Sequence, residues 1–284
     1  MSREQLRQTF GEDAELYDRV RPTYPPALYD DIAELLGNPD QLRVLEIGPG
    51  TGQATAPMVE RGWSVTAIEL SPDLARVAQA KLPEVEVIVA DFDSWELPAA
   101  TYDLIISATA FHWLDPATRV ARCADVLRPG GMLAVVSTEH VLGGSVQFFA
   151  DMMDCYQRFM GDADTTGLQP ADAIPQDSSE VDATGRFQPV EFRRYERDLT
   201  YTTPEYLDLL SSYSGHRALT TERRDGLYGC ISALIDAGGG SVTKRYLTQL
   251  SAAISLTNPL HPGSFTSEND RAGRVITRRL SGLT

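Results

Sequence analysis

The stretch Val44–Thr55, VLEIGPGTGQAT, decides the fold predicted for this 284-residue chain. Apolar residues run into a turn with glycine at three alternate positions, Gly48, Gly50 and Gly52. Glycine permits backbone angles that other residues avoid, and it lets a ligand approach the main chain. The turn reads G-P-G-T-G, with Pro49 to stiffen it, whereas dinucleotide-binding turns read G-x-G-x-x-G. The stretch therefore predicts a strand, a ligand-binding turn and a helix, and it leaves open whether the ligand carries phosphate.

Short apolar runs alternate with helical stretches over residues 42–138. The runs hold Val, Ile and Leu at successive positions, which is typical of strands covered on both faces of a parallel sheet. The alternation favours an α/β fold with a Rossmann-like, doubly wound sheet. RPGG at Arg128–Gly131 predicts a turn into the fifth strand. The predicted strands are Leu42–Ile47, Val65–Glu69, Val85–Ala90, Tyr102–Ser107 and Met132–Ser137, and the predicted helices are Gly52–Arg61, Pro72–Lys81 and Pro116–Leu127.

The second half of the chain is less regular. Apolar residues at spacings of three and four over residues 146–160 predict one face of a helix. Residues Gly161–Gly185 are acidic and broken by prolines, which predicts a surface loop. The residues from Asn258 onward are weakly patterned and are predicted to be mobile. The other predicted elements are a strand at Pro189–Tyr201, helices at Pro204–Ser212 and Leu219–Ala237, and a last strand at Lys244–Ile254.

The composition of the chain limits which binding partners and which cellular environment are expected for it. The formal net charge of −15 repels nucleic-acid phosphates and anionic membrane surfaces, so neither is expected as a partner. No apolar run approaches the length of a membrane span, and the first residues lack an apolar signal region. Cys123, Cys155 and Cys230 lie far apart, form no C-x-x-C pair and are predicted to be reduced thiols. We therefore expect a soluble cytoplasmic protein without a metal site, whose oligomeric state the sequence leaves open.

Two acidic residues follow predicted strands beside the glycine turn. Glu69 ends the second strand, where a carboxylate can accept hydrogen bonds from both hydroxyls of a ribose. Asp91 follows the third strand, with Phe92 beside it, and this pair suits the amino group and the face of an adenine. Phosphate would favour a basic or neutral site. The two acids thus predict a ligand with a sugar, an adenine and a cationic centre but no pyrophosphate.

Five ordered motifs carry a resemblance to a known family: VLEIGPGTG, AIELSP, VIVADFDSWELP, YDLIISATAFHWLD and VLRPGGMLAVV. Over about residues 40–140 the chain resembles class I S-adenosylmethionine-dependent methyltransferases. YDRVRPTYP from Tyr17, and two stretches of the C-terminal half, resemble small-molecule methyltransferases of the trans-aconitate methyltransferase type. The resemblance implies seven strands, with the last antiparallel. It also implies cover helices at 1–40, a cofactor-binding core at 41–142, an insert over the acceptor pocket at 143–188, C-terminal strands and helices at 189–257 and a tail at 258–284.

The same resemblance implies roles for the cofactor-binding residues. Gly48, Pro49, Gly50 and Gly52 form the turn under the methionine part of the cofactor. Glu69 takes the ribose hydroxyls, and Leu70 lies beside the adenine. Asp91 takes the adenine amine, and Phe92 flanks the adenine ring. Ala108, at the end of the fourth strand, lies near the methionine amine.

Candidates for the acceptor pocket come from three parts of the chain. His112 and Trp113 follow the fourth strand at the rim where such sheets bind ligands, and His112 is a candidate hydrogen-bond donor or general base. Tyr17, Arg21 and Tyr24 lie on the N-terminal cover. Tyr17 is a catalytic candidate over the sulfonium side of the cofactor, or else a core-packing residue, and Arg21 suits the cofactor carboxylate, an acidic substrate or a surface ion pair. Tyr213 and His216 are further pocket candidates. Glu139 and His140, just past the fifth strand, could reach the same cavity, but the sequence favours a solvated loop for them.

The functional expectation is methyl transfer from S-adenosylmethionine to a metabolite or natural product, which gives S-adenosylhomocysteine. The displacement needs an aligned acceptor lone pair, and it needs a base only where the acceptor must lose a proton. The acceptor atom, whether O, N, C or S, is not readable from the sequence. Two alternatives stay open: a non-catalytic protein that binds the same cofactor, and a nicotinamide-dependent oxidoreductase on a similar sheet.

Overall fold

One mixed sheet organises the chain in a computed structural model that describes residues 13–98, 101–161 and 167–256. Within these ranges seven strands pair in the order β3-β2-β1-β4-β5-β7-β6. The first five strands are parallel, and β7 runs antiparallel to both of its neighbours. This confirms the predicted α/β sheet and its antiparallel last strand. The strands are β1 Arg43–Ile47, β2 Ser64–Glu69, β3 Glu86–Val89, β4 Tyr102–Ala108, β5 Leu127–Val141, β6 Glu191–Thr202 and β7 Ser241–Ile254.

Helices flank both faces of the sheet. The helices are α1 Ala14–Val20, α2 Pro26–Leu35, α3 Thr55–Glu60, α4 Pro72–Lys81, α5 Arg119–Val126, α6 Val146–Met160, α7 Ser179–Asp182, α8 Thr203–Ser211, α9 Ser214–Arg217 and α10 Thr221–Ala237. Short 3-10 turns lie at Phe111–Trp113 and Ala171–Ala173. No helix within the described ranges has the length and apolarity needed to cross a membrane.

Successive residues of the central strands pack into opposite layers. Val44 and Leu104 belong to the cluster that includes residues of α2 and α3. Leu45 and Ile105 point the other way, into the cluster that includes residues of α5. Burial on both faces explains why these strands are apolar at every position rather than at alternate ones.

A third apolar cluster joins α6, α8 and α10 beyond the sheet. Its centre contains Phe149 of α6, Leu209 of α8 and Ile231 of α10. The helix predicted from the apolar spacing over residues 146–160 is confirmed residue for residue. This helical layer lies next to the C-terminal strands and brings residues near 213 toward the sheet edge.

Several predicted boundaries are wrong for local reasons. The helix after the glycine turn begins at Thr55 rather than Gly52, because Gly52 has a φ of +93° and cannot be helical. The helix predicted from Pro116 begins at Arg119, after a turn in which the Asp115 carboxylate accepts a hydrogen bond from the Ala117 N–H. Arg128–Gly131 lies inside β5, where Gly131 C=O accepts from the Ser255 N–H, rather than in a turn.

The segment 161–185 holds more structure than a loop, since α7 and the second 3-10 turn lie within it. Its ordering comes from contacts with the sheet and with α5: Arg119 is paired with Glu180, and Arg194 donates to Ala171 C=O. Residues 162–166 lie outside the described ranges. So do the predicted C-terminal tail and the start of the N-terminal cover.

The prediction of three reduced cysteines is wrong in this structure. Cys155 of α6 and Cys230 of α10 form a disulfide, with their Cα atoms 5.9 Å apart. Cys123 of α5 is free and buried. The two bonded cysteines are 75 residues apart in sequence, and it is the packing of α6 on α10 that brings them together. Sequence spacing alone carried no signal for that contact.

Candidate active site

Two adjoining cavities open at the carboxyl edge of the parallel strands, each with a volume of about 270 Å³. This is the edge at which doubly wound sheets bind ligands. The first cavity is bounded by the ends of β1, β2 and β3, and the second by β5, β6 and β7 together with the N-terminal cover. The described residues that line both are Tyr17, Arg21, Gly48, Ala108, Thr109 and Tyr213.

The glycine turn forms the floor between the cavities. Gly48 has a φ of +70°, and a Cβ placed on it would lie 2.6 Å from the Cβ of Ala110. A Cβ on Gly50, also at positive φ, would lie 3.4 Å from the Tyr17 ring. Gly52 packs instead against Leu82. Gly48 and Gly50 line the first cavity, and Pro49 lines the second.

Glu69 lies in the wall of the first cavity. Its Oε2 accepts from the Gly50 N–H at 3.0 Å, and its Oε1 accepts from the Ser71 N–H at 2.9 Å. The residue is only 6% exposed, so the carboxylate is held rigidly between the glycine turn and the start of α4. Leu70 lines the cavity beside it. A fixed carboxylate in a cavity wall can accept hydrogen bonds from ligand hydroxyl groups.

Phe92 also lies in the wall of the first cavity. Its ring is buried, and the Arg122 guanidinium lies 5.3 Å from the ring centroid and donates to Phe92 C=O. Ala90 and Phe92 line the cavity, but Asp91 between them is not among the described lining residues. The Asp91 carboxylate accepts from the Asp93 N–H at 3.1 Å.

His112 and Trp113 lie on the 3-10 turn after β4 and line the first cavity rather than the second. Their ring centroids are 4.8 Å apart. The sequence placed both residues with the acceptor pocket, whereas the structure brings them to the same cavity as Glu69 and Phe92.

The N-terminal cover is fixed by Arg21. The guanidinium lies 4.7 Å from the ring centroids of both Tyr17 and Tyr213, and it donates to Ser212 C=O at 3.0 Å. These contacts join α1 to the segment between α8 and α9. Burial raises the pKa of Tyr17 although Arg21 opposes the shift. The cover therefore places a cation between two aromatic rings directly over the wall shared by the cavities.

Tyr24 contacts Thr109, a residue with a strained backbone in the wall that the two cavities share. Thr109 has a φ of +57°, which is rare for a β-branched residue, and its hydroxyl lies 2.8 Å from the Tyr24 hydroxyl. Tyr24 lines the second cavity. Ala108 precedes Thr109 at the end of β4 and lines both cavities.

A row of side chains across the C-terminal strands forms the base of the second cavity. Tyr246 of β7 pairs in register with His140 of β5 on one side and with Arg197 of β6 on the other. Lys244 and Thr248 take alternate positions on β7, so they share the face of Tyr246. His140 was predicted in a solvated loop and is instead part of β5. The alternation K-x-Y-x-T in the sequence was the available signal for this face.

Glu46 is a site residue that sequence reasoning missed. It is 1% exposed inside β1 and lines the second cavity. Oε2 accepts from the Thr55 hydroxyl at 2.6 Å, while Oε1 has no hydrogen-bond partner among the described residues. Burial raises the pKa of this carboxyl to about 7, and the Thr55 hydrogen bond opposes that shift. A single acid within the apolar run VLEI was the signal in the sequence.

His216 lies behind the cavities rather than in their described walls. Its Nε2 is 3.0 Å from the Tyr156 hydroxyl, and its ring packs between Tyr213 and Tyr228. Burial, reinforced by the Lys244 charge, lowers its pKa to about 4. The structure thus makes His216 a neutral packing partner of Tyr213.

Glu46 predicts a dependence of stability on pH. The folded chain binds a proton there up to about pH 7, whereas the unfolded chain loses it near the model-peptide value of 4.5. The free energy of unfolding therefore falls as pH rises through this window, by up to about 3 kcal/mol. Urea denaturation of Glu46→Gln, which retains an acceptor for Thr55, is expected to show a shallower fall. The exposed Glu86→Gln is the control and keeps the wild-type slope; equal slopes in wild type and Glu46→Gln would contradict the prediction.

A seven-stranded Rossmann-like sheet with this strand order, a glycine turn after β1 and an acid at the tip of β2 defines the class of Rossmann-like methyltransferases. A methyltransferase domain family matches residues 45–135. An uncharacterised methyltransferase of Bacillus cereus is 33% identical over 162 residues, which cover 56% of this chain and 68% of that protein. The chain belongs to the class I S-adenosylmethionine-dependent methyltransferase family.

Other relatives match half of the chain or less. An uncharacterised methyltransferase of Mycobacterium tuberculosis is 36% identical over 135 residues, which cover 48% of this chain and 54% of that protein. The chain thus spans about half the length of this relative. A trans-aconitate 2-methyltransferase of Azoarcus sp. is 40% identical over 100 residues, covering 34% of this chain and 39% of that protein.

A solved structure from Anaeromyxobacter dehalogenans, described as that of a proposed type II methyltransferase, is similar over most of the chain. It is 25% identical with a TM-score of 0.60, and the match covers 84% of this chain and 99% of that one.

Proposed function

We propose that this protein transfers a methyl group from S-adenosylmethionine to a small-molecule acceptor and releases S-adenosylhomocysteine. The observation that carries the proposal is the pair of adjoining cavities with a common wall at Gly48, Ala108 and Thr109. A donor in the first cavity and an acceptor in the second meet across that wall. Methyl transfer needs this arrangement, since the acceptor lone pair must lie in line with the methyl carbon at about 3–3.5 Å.

The residues of the first cavity fit the nucleoside part of the donor. Glu69 accepts from the ribose hydroxyls, and Leu70 and Phe92 enclose the adenine. Asp91 is kept as the contact to the adenine amino group, because it stands between the wall residues Ala90 and Phe92. His112 and Trp113 belong to the donor side in this proposal, since they line the same cavity.

Two buried polar atoms near the common wall fit the amino-acid part of the donor. Glu46 Oε1 and Arg21 Nε are both buried and without a hydrogen-bond partner among the described residues. An ammonium group suits the first atom and a carboxylate suits the second, and both occur on the methionine moiety. Gly48 of the glycine turn lines both cavities, so the turn lies at the place where that moiety would pass.

When bound, S-adenosylmethionine supplies a methyl group on a sulfonium centre. The chain contributes position and exclusion of water: Tyr17, Arg21 and Tyr213 cover the common wall, and Arg21 ties them together. In this arrangement the core at 41–142 holds the donor, while the cover at 1–40 and the C-terminal part at 189–257 enclose the acceptor. A cavity of about 270 Å³ suits a small molecule, and the net charge of −15 disfavours nucleic acid as the acceptor.

Calorimetric titration of the protein with S-adenosylhomocysteine and, separately, with NAD⁺ tests the proposal. We expect saturable one-to-one binding of S-adenosylhomocysteine and no heat of binding with NAD⁺. The reason is that the turn lacks the glycine spacing that holds a pyrophosphate. Binding of NAD⁺ alone would contradict the proposal and favour an oxidoreductase.

A further inference from the structure

We propose that Tyr213 is the proton acceptor for the group that becomes methylated, with Lys244 and Arg21 holding its phenolic oxygen ready for ionisation. This inference rests on the proposed function, because it assigns a role within the same reaction. It requires that Tyr213 reach both reactants, that the surrounding charges favour the phenolate, and that the other tyrosines lack this environment.

The position of Tyr213 meets the first requirement. It precedes α9, in the segment that the N-terminal cover packs against, and it lines both cavities. Of the six described residues shared by the two cavities, only Tyr17 and Tyr213 carry a group that can accept a proton from a neutral acceptor. Tyr213 is the one of these two that lies beside a lysine.

Lys244 meets the second requirement. Its Nζ donates to the Tyr213 hydroxyl oxygen at 3.2 Å, and the residue is only 6% exposed. Within the described ranges no carboxylate lies within ion-pair distance of Lys244. A buried ammonium group is costly unless an anion lies beside it. A phenolate at Tyr213 supplies that anion within the chain itself.

Arg21 adds a second positive charge, with its guanidinium 4.7 Å from the Tyr213 ring centroid. Burial disfavours ionisation of Tyr213, but the charges of Lys244 and Arg21, together with hydrogen bonds from Lys244 and Tyr246, outweigh it and lower the pKa of the phenol below its usual value. The chain has eleven tyrosines, and the pKa is raised for each of the other ten. Tyr213 is thus singled out by its neighbours rather than by its burial.

The remaining titratable groups around Tyr213 do not cancel these charges near neutral pH. Burial lowers the pKa of His140 to about 3 and that of His216 to about 4, so both rings are neutral. The nearby tyrosines have raised pKa values and stay protonated. Glu46 lines the second cavity but is not among the groups that shift Tyr213. The nearby tyrosines with raised pKa values are Tyr17 on α1, Tyr156 on α6, Tyr201 on β6, Tyr206 on α8 and Tyr246 on β7.

The proposed step moves one methyl group and one proton. The acceptor atom X of an X–H group forms a bond to the methyl carbon, and the electron pair of the carbon–sulfur bond passes to the sulfonium sulfur. The X–H proton moves to the Tyr213 phenolate oxygen, which becomes a phenol and later releases that proton to water. The acceptor class implied is a hydroxyl, thiol or amine group, which must lose a proton on methylation. A carboxylate needs no base and is not implied.

The first test is an ultraviolet titration of the protein alone, which follows tyrosinate absorbance between about pH 6 and about pH 11. Wild type is expected to show one tyrosine that ionises ahead of the others. Tyr213→Phe removes this early step, and the control Tyr102→Phe, at the far end of β4, keeps it. Lys244→Met moves the step upward by about one pH unit or more, whereas Lys244→Arg retains it. An early step that persists in Tyr213→Phe would overturn the proposal.

The second test follows the reaction, with release of S-adenosylhomocysteine as readout and an equimolar panel of small phenols, hydroxy acids, thiols and amines as probe. Tyr213→Phe is expected to lower kcat by roughly 100-fold or more and to remove the rising limb of the pH profile, while Lys244→Arg keeps that limb. A Tyr213→Phe rate close to wild type would overturn the proposal. Absence of turnover in wild type would count against the proposed function, and the titration would still decide the role of Tyr213.

Discussion

Replacement of Gly48 by alanine is expected to weaken S-adenosylhomocysteine binding by roughly 100-fold, equivalent to about 3 kcal/mol, while the chain still folds. The new Cβ would lie 2.6 Å from the Cβ of Ala110, so the loop after β4 must move. That loop carries Thr109 and Ala110, and Gly48 lines both cavities. The clash therefore narrows the first cavity, which holds the donor in the proposed function, and at the same time displaces the wall that the two cavities share.

The matched control is Gly62→Ala. Gly62 has a φ of +80°, so alanine there is strained to a similar degree, by about 1–2 kcal/mol. A Cβ on Gly62 would meet nothing within 4 Å, and the residue lines neither cavity. Calorimetry should give wild-type affinity for Gly62→Ala and weak binding for Gly48→Ala. The loss in thermal stability should be larger for Gly48→Ala, because its Cβ adds a contact of 2.6 Å with Ala110 to the backbone strain that both variants share. Equal affinities in the two variants would show that the turn at Gly48 is not part of the donor site.

The disulfide predicts the largest effect on stability. Replacement of Cys155 and Cys230 by alanine together is expected to lower the free energy of unfolding by about 4 kcal/mol, because the cross-link restrains a loop of 75 residues in the unfolded chain. Alanine is preferred to serine, since Cys155 is 2% exposed and a buried hydroxyl would add its own cost. Urea denaturation measures the difference.

Dithiothreitol provides the control for the disulfide. It should lower the urea midpoint of the wild type to nearly that of the double variant and should leave the double variant unchanged. A wild type that does not respond to the reductant, although mass spectrometry shows its thiols to be free, would contradict the stabilising role of the Cys155–Cys230 bond.

The sheet was predictable because its signals are local. Each parallel strand is a short apolar run, and the glycine turn forces its own conformation through positive φ angles at Gly48, Gly50 and Gly52. Glu69 could be placed because a charged residue that ends a buried strand has to lie at the sheet edge. The structure puts it there, with the glycine turn as its hydrogen-bond donor.

The second cavity was not predictable, because it is assembled by register between distant strands. His140, Tyr246 and Arg197 become neighbours only when β5, β7 and β6 pair. The same reasoning explains His216: its position in the sequence suggested the pocket, but the short helix α9 turns its ring toward Tyr156. The contact between Cys155 and Cys230 depends in the same way on how α6 packs against α10.

The sequence also placed Trp113 and His112 with the acceptor, whereas they line the cavity of Glu69 and Phe92. The reason is that the 3-10 turn after β4 bends the chain toward β3. The Asp93 carboxylate fixes that bend by accepting from the Asp115 N–H. A turn of this kind has no periodic pattern, so its direction could not be derived from spacing.

A crystal structure of the protein with S-adenosylhomocysteine tests the central claim most directly. We expect the nucleoside between Glu69 and Phe92, the amino-acid arm along Gly48 toward Glu46 and Arg21, and the second cavity free of the ligand, with Tyr213 and Lys244 at its wall. Density for the ligand in the second cavity, or a nucleoside that does not contact Glu69, would contradict the assignment of donor and acceptor cavities.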